Sequence, residues 1–117
     1  MFVRVRNVTQ GNVLVQQGRV ASTFWTRLRG LIGSPPPAEG EGLLIIPCSG
    51  VHMFFMSYPI DVIYVNRYDQ VIDVDMNMKP WRVGRPRKAS RYVIELPAGA
   101  VARSGVQIGD QLQLECK

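Results

Sequence analysis

Apolar and polar positions alternate along most of this chain, and a helical period shows in only one place. Val3 and Val5 flank Arg4, while Val13 and Val15 follow the turn signal Gln10-Gly11-Asn12. A period of two on both sides of such a turn predicts a hairpin with one wet face. From Ser22, a good N-cap residue, Phe24, Leu28, Leu31 and Ile32 recur at helical spacing with Trp25 beside them. Gly33 offers a left-handed cap ahead of Pro35-Pro36-Pro37. One principal helix is predicted there, with Arg27 and Arg29 pointing elsewhere and Trp25 as a rim or core aromatic.

Ser34 to Gly42 is rich in Pro and Gly and reads as a loop too short to join independent domains. Leu43–Ile46 resumes as a buried strand stopped by Pro47. The run from Val51 to Val65 is apolar almost throughout, and Tyr58-Pro59 divides it into one strand before Pro59 and another from Ile60 to Val65. After the turn Asn66–Asp69, Ile72, Val74, Met76 and Met78 face one side of a strand, and Asp73, Asp75 and Asn77 form a solvated face on the other. Arg91–Leu96 is a further strand, ended by Pro97-Ala98-Gly99. A helical turn from Ala100 to Ser104 closes on Gly105, and Gly109-Asp110 leads into a last strand with Leu112 and Leu114 inward. The expected fold is a β-rich α+β single domain over residues 1–117. About six to eight short strands curl into a sheet or small barrel, packed on the one main helix, because closure removes exposed edges.

Composition narrows this picture. At 117 residues, with 46% hydrophobic and 20% charged, the chain supports one folded core and is no disordered segment. No basic-then-apolar leader opens it, and no apolar run approaches the roughly 20 residues of a membrane-spanning helix. A cytoplasmic, monomeric protein without membrane contact is expected. Cys48 and Cys116 are too few for a disulfide framework, though a single bridge between them stays open. The net charge of +5 concentrates in one segment, where Arg82, Arg85, Arg87, Lys88 and Arg91 stand without any acid. With Trp81 and Tyr92 near, this is a candidate anion-binding loop. Pro80, Gly84 and Pro86 mark it as a loop of the kind commonly just solvated, so nucleic acid is not the favoured partner.

Three polar residues stand in apolar strand sequence: His52, Asp61 and Glu95. Burying an imidazole or carboxylate costs free energy unless a partner satisfies it. Asp61 therefore needs N–H groups, an arginine or His52 itself. The three either converge at one mouth of the sheet, where small barrels bind ligands, or make three separate structural contacts. Cys48 and His52 are spaced like a catalytic pair, but four residues of strand span roughly 13 Å, so only a bend at Ser49-Gly50 brings them together. One His and two Cys fall short of a structural zinc set, and no metal or cofactor is expected. Phosphate-loop, nucleophile-elbow and zinc-protease motifs are absent from the sequence.

The motif His52-Met-Phe-Phe-Met-Ser-Tyr-Pro-Ile-Asp61, followed by Val93-Ile-Glu-Leu-Pro-Ala-Gly99 and Ile108-Gly-Asp110, resembles the DUF192 family of small conserved proteins over about residues 24–114. The resemblance implies a compact β-rich domain and no established activity. By position, its shared residues are Met56, Pro59, Asp61, Glu95, Gly99, Gly109 and Asp110. The family pattern tolerates other residues at the His52 position. The reading that follows is a non-enzymatic module binding a small molecule or peptide. Its pocket is floored by Phe54, Met56 and Tyr64, and His52, Asp61 and Glu95 orient the ligand. The alternative is an enzyme using Asp61 or Glu95 as base and His52 as acid on an anionic substrate. A weaker one is nucleic-acid binding through the 82–91 loop.

Overall fold

A computed structural model describes residues 2–116; the expected first strand begins at Met1, which with Lys117 lies outside the described residues. Seven strands form one curled, half-barrel sheet. They are β1 (Phe2–Asn7), β2 (Asn12–Ala21), β3 (Glu41–Ile45), β4 (Ile60–Val65), β5 (Val71–Met78), β6 (Tyr92–Pro97) and β7 (Leu112–Cys116), in the order β5-β4-β6-β3-β2-β1-β7. Only β2 and β3 run parallel; the other neighbours are antiparallel. The two end strands meet at one corner, where Val71 N–H donates to Asp110 O at 2.9 Å and Gln70 bridges Gln111. Two short helices, α1 (Phe24–Arg29) and α2 (Ala100–Ser104), complete the β-rich α+β domain.

The sheet separates two cores. On one face Val5, Val15, Leu44, Ile63, Ile94 and Leu96 pack together, closed by Val101 of α2 and Val106. On the other, Leu43, Ile45, Ile60, Val62, Tyr64 and Val93 are covered by Leu31, Val51, Met53 and Met56. Strands β4 and β6 lie inside the sheet between β5 and β3 and are buried on both faces, which is why their sequences read as nearly unbroken apolar runs.

Local chemistry accounts for the departures from expectation. The helix is capped by Thr23, not Ser22: Thr23 and Thr26 form a reciprocal capping box, and Gly30 at φ 54° ends α1 after six residues. No residue of α1 is buried, so Phe24, Trp25 and Leu28 face outward and Trp25 is 74% exposed. Leu31 reaches the core from the turn beyond Gly30, leaving the apparent helical period split between helix and turn. The stretch before Pro59 is no strand. Its one ladder contact is the bridge from His52 to Val83, and Phe55 at φ 64° turns the chain so that Met53 and Met56 both point inward. The acids of β5 are not a solvated face either. Arg87 Nε donates to Asp73 Oδ2 at 2.8 Å and its Nη2 to Asp75 Oδ1 at 2.9 Å, with the guanidinium 4.0 Å over the Tyr64 ring. Cys48 and Cys116 are both free thiols. Among the described residues no helix is long and apolar enough to cross a membrane.

Candidate functional site

Strands β4 and β6 hold two buried carboxylates, and their register sends them apart. Asp61 pairs with Leu96 and Val62 with Glu95, so the two acids project from opposite faces of the sheet. Asp61, fully buried, accepts hydrogen bonds from Asn77 N–H at 2.8 Å, Gly99 N–H at 3.1 Å and Val101 N–H at 2.9 Å. The first fixes β5 where Asn77 takes φ 52°; the other two cap α2, whose N-cap residue Gly99 has no side chain to do so. These bonds tie β5 and α2 to β4, and Asp61 does not line the cavity at Glu95.

Glu95 has the opposite circumstance. It is 95% buried, yet no hydrogen-bond donor among the described residues reaches its carboxylate. Burial alone pushes its pKa up to about 7. Gly30 ends α1 against Glu95: its φ of 54° favours glycine, and a Cβ there would stand in ordinary contact, 3.4 Å from Glu95 Oε1. Between α1 and the 48–53 segment lies a cavity of about 40 Å³, lined by Arg27, Cys48, His52, Met56 and Glu95 among others. It shares walls with a wider cleft of about 610 Å³ lined by Phe24, Leu28, Pro47, Ser49 and Lys88.

Two further polar atoms on this cavity are buried and unpartnered, His52 Nδ1 and Arg27 Nε. Arg27 is steadied by Nη1 donating to Pro47 O at 3.2 Å. The bend at Ser49-Gly50 does bring Cys48 and His52 to one cavity. The thiol donates to Gly50 O at 3.0 Å, and burial raises its pKa, the wrong direction for a nucleophile.

Of the candidates read from sequence, His52, Met56 and Glu95 come together here. Phe54 stands outside, 42% exposed, with its ring against His52 at 5.3 Å. Tyr64 lies beneath the 79–91 segment, donating to Asp75 Oδ2 at 2.9 Å, and floors no part of the cavity. In the basic loop, Arg87 is consumed by Asp73 and Asp75, and Arg85 reaches Asp73 at 3.4 Å. Arg82, Lys88 and Arg91 are exposed and form no ion pair among the described residues, and Lys88 reaches the cleft. Sequence reasoning missed Arg27 and Gly30. Gly30 was the available signal, masked by Gly33 three residues later.

Comparison with known proteins gives the chain relatives. The DUF192 profile, described as "Uncharacterized ACR, COG1430", matches residues 5–114, wider than the 24–114 core legible from motifs. A UPF0127 protein of Thermococcus sibiricus is 33% identical over 114 residues, covering 93% of this chain and 73% of the relative. One from Pyrococcus furiosus is 32% identical over 112 residues, covering 92% and 94%. A crystal structure of a protein of unknown function from Novosphingobium aromaticivorans superposes with a TM-score of 0.81 at 22% identity, over 97% of this chain and 84% of that one; it shows a shared fold. With the profile spanning nearly the whole chain and relatives above 30% identity along it, the protein belongs to the DUF192 family, the same family as UPF0127, whose function is unknown.

Proposed function

We propose that the protein is a non-enzymatic binding module, and that its ligand, a small molecule or peptide, places an N–H-bearing head group against Glu95. The observation that carries this reading is the Glu95 carboxylate, almost fully buried, unpartnered and lining a cavity. A buried carboxyl without a donor is costly, and such groups concentrate where a ligand completes the hydrogen bonds. A cavity of about 40 Å³ is a space for an ammonium or amide head, not for a ring. The adjoining cleft of about 610 Å³ has the size of small-ligand sites, with Phe24 and Leu28 for an apolar body and Arg27 and Lys88 for an anionic end. An ω-amino carboxylate has that sequence of groups.

His52 Nδ1 is a further polar contact to the head group, while Arg27, a donor only, faces the anionic end. Asp61 takes no part, because its lone pairs already accept three backbone N–H groups. The enzymatic alternative is thereby reduced to Glu95 and His52, without a second carboxylate and without an activated thiol. Calorimetric titration with 6-aminohexanoate tests the reading. Binding that weakens at least tenfold in Glu95→Gln supports it, and equal binding to both proteins, or none to either, contradicts it.

A further inference from the structure

A second surface lies beside this cleft. Phe54, Phe55 and Trp81 project from two neighbouring turns, 42%, 70% and 58% exposed. Their rings form a continuous series: His52 to Phe54 at 5.3 Å, Phe54 to Trp81 at 6.1 Å, Phe55 to Trp81 at 5.0 Å. Phe55 and Trp81 both hold positive φ, at 64° and 69°, a conformation bulky residues rarely adopt. The two turns are tied together, Trp81 N–H donating to Met53 O at 2.7 Å and Met53 N–H to Arg82 O at 2.6 Å. The fold thus spends backbone strain to hold aromatic rings in water.

Charge says what would cover them. Residues 79–91 contain no acid. Lys79, Arg82, Lys88 and Arg91 are exposed and carry no ion pair among the described residues, whereas Arg87 and Arg85 are engaged by Asp73 and Asp75. These four cations follow one another along one segment that begins at the ring series, with Lys79 and Arg82 on either side of Trp81 in the sequence. A linear polyanion with flat apolar faces complements both features at once. Among the described residues the longest helix has six residues, too short for a recognition helix, and exposed rings suit unpaired bases better than a stacked duplex.

We infer that this strip, rings Phe54, Phe55 and Trp81 with Lys79 and Arg82, is a docking surface for single-stranded nucleic acid. Bases stack on the rings while phosphates meet the cations. The surface is independent of the Glu95 cleft, and its failure would leave that reading intact.

The test is fluorescence anisotropy of a labelled oligothymidylate of about 12 nucleotides, at salt concentrations from roughly 50 to 200 mM. Trp81→Asn and Phe55→Asn remove the rings and place a residue that tolerates positive φ. Each is expected to weaken binding about tenfold without changing the salt slope. Lys79→Gln and Arg82→Gln are expected to weaken binding and to flatten that slope by about 0.7 each. Absence of binding at the lowest salt overturns the inference. So does equal affinity for the matching duplex, indifference to both ring variants, or capture by phosphatidylserine vesicles in place of the oligonucleotide.

Discussion

Asp61 and Glu95 lie one register step apart on adjacent strands, and their carboxylates face opposite sides of the same sheet. One is saturated by backbone donors; the other has none. That contrast separates the residue that ties strands and helix together from the residue proposed to meet a ligand.

Replacing Asp61 by alanine strands three backbone N–H groups, two of them at the start of α2. The expected cost is about 3 kcal/mol, measured as a lower urea midpoint. Asparagine keeps one acceptor oxygen and should lose somewhat less. Neither change should alter 6-aminohexanoate affinity under conditions where the protein stays folded.

Glu95 should make stability depend on pH in a defined window. Its carboxyl titrates at about 7 in the folded state against 4.5 when exposed, so between these values the folded chain holds a proton that the unfolded chain has lost. Stability is then highest below about pH 4.5, falls as pH rises to about 7, and levels off above, by about 3 kcal/mol in all. Urea unfolding across this range should give a flat profile for Glu95→Gln. Asp73 and Asp110 act elsewhere: partners hold both below the ordinary value of 3.8, so their contributions disappear only as pH falls below it.

Arg87 is the cation that the 79–91 segment gives to structure. Its guanidinium bridges Asp73 and Asp75 and lies over Tyr64, with 10% of the side chain exposed. Arg87→Ala should destabilise by about 2 kcal/mol in urea unfolding. Arg87→Lys should restore only part of that, because an ammonium cannot span both carboxylates in one plane.

Gly42 lies on β3 close against Leu96 and the Glu95 carbonyl of β6. A Cβ there would stand 2.9 Å from Leu96 Cδ2 and 3.2 Å from the Glu95 carbonyl oxygen. Gly42→Ala should cost about 1–3 kcal/mol and show as a lowered thermal midpoint, since backbone on one side cannot yield.

The elements legible in the sequence are those set by local rules. The hairpin at Gly11, the α2 turn ending at Gly105 and the final strand after Asp110 are each written in period-two alternation and glycine punctuation. What was not legible depends on pairing. Nothing near Asp61 in sequence announces that its acceptors meet N–H groups 16, 38 and 40 residues away. Glu95 looked like its equivalent until the register of β4 on β6 turned the two apart. The stretch around Phe55 misled for a different reason: Met53 and Met56 are three residues apart yet pack into the same core, which a turn permits and an extended strand, sending them to opposite faces, does not.

That Glu95 receives the ligand is tested most directly by its own titration. The carboxyl carbon of Glu95, followed by NMR as a function of pH, should report a pKa near 7 in the free protein. With saturating 6-aminohexanoate, an ammonium beside the carboxylate should favour its charged form and bring that value down toward the ordinary 4.5. A Glu95 titration unmoved by the compound would contradict the account.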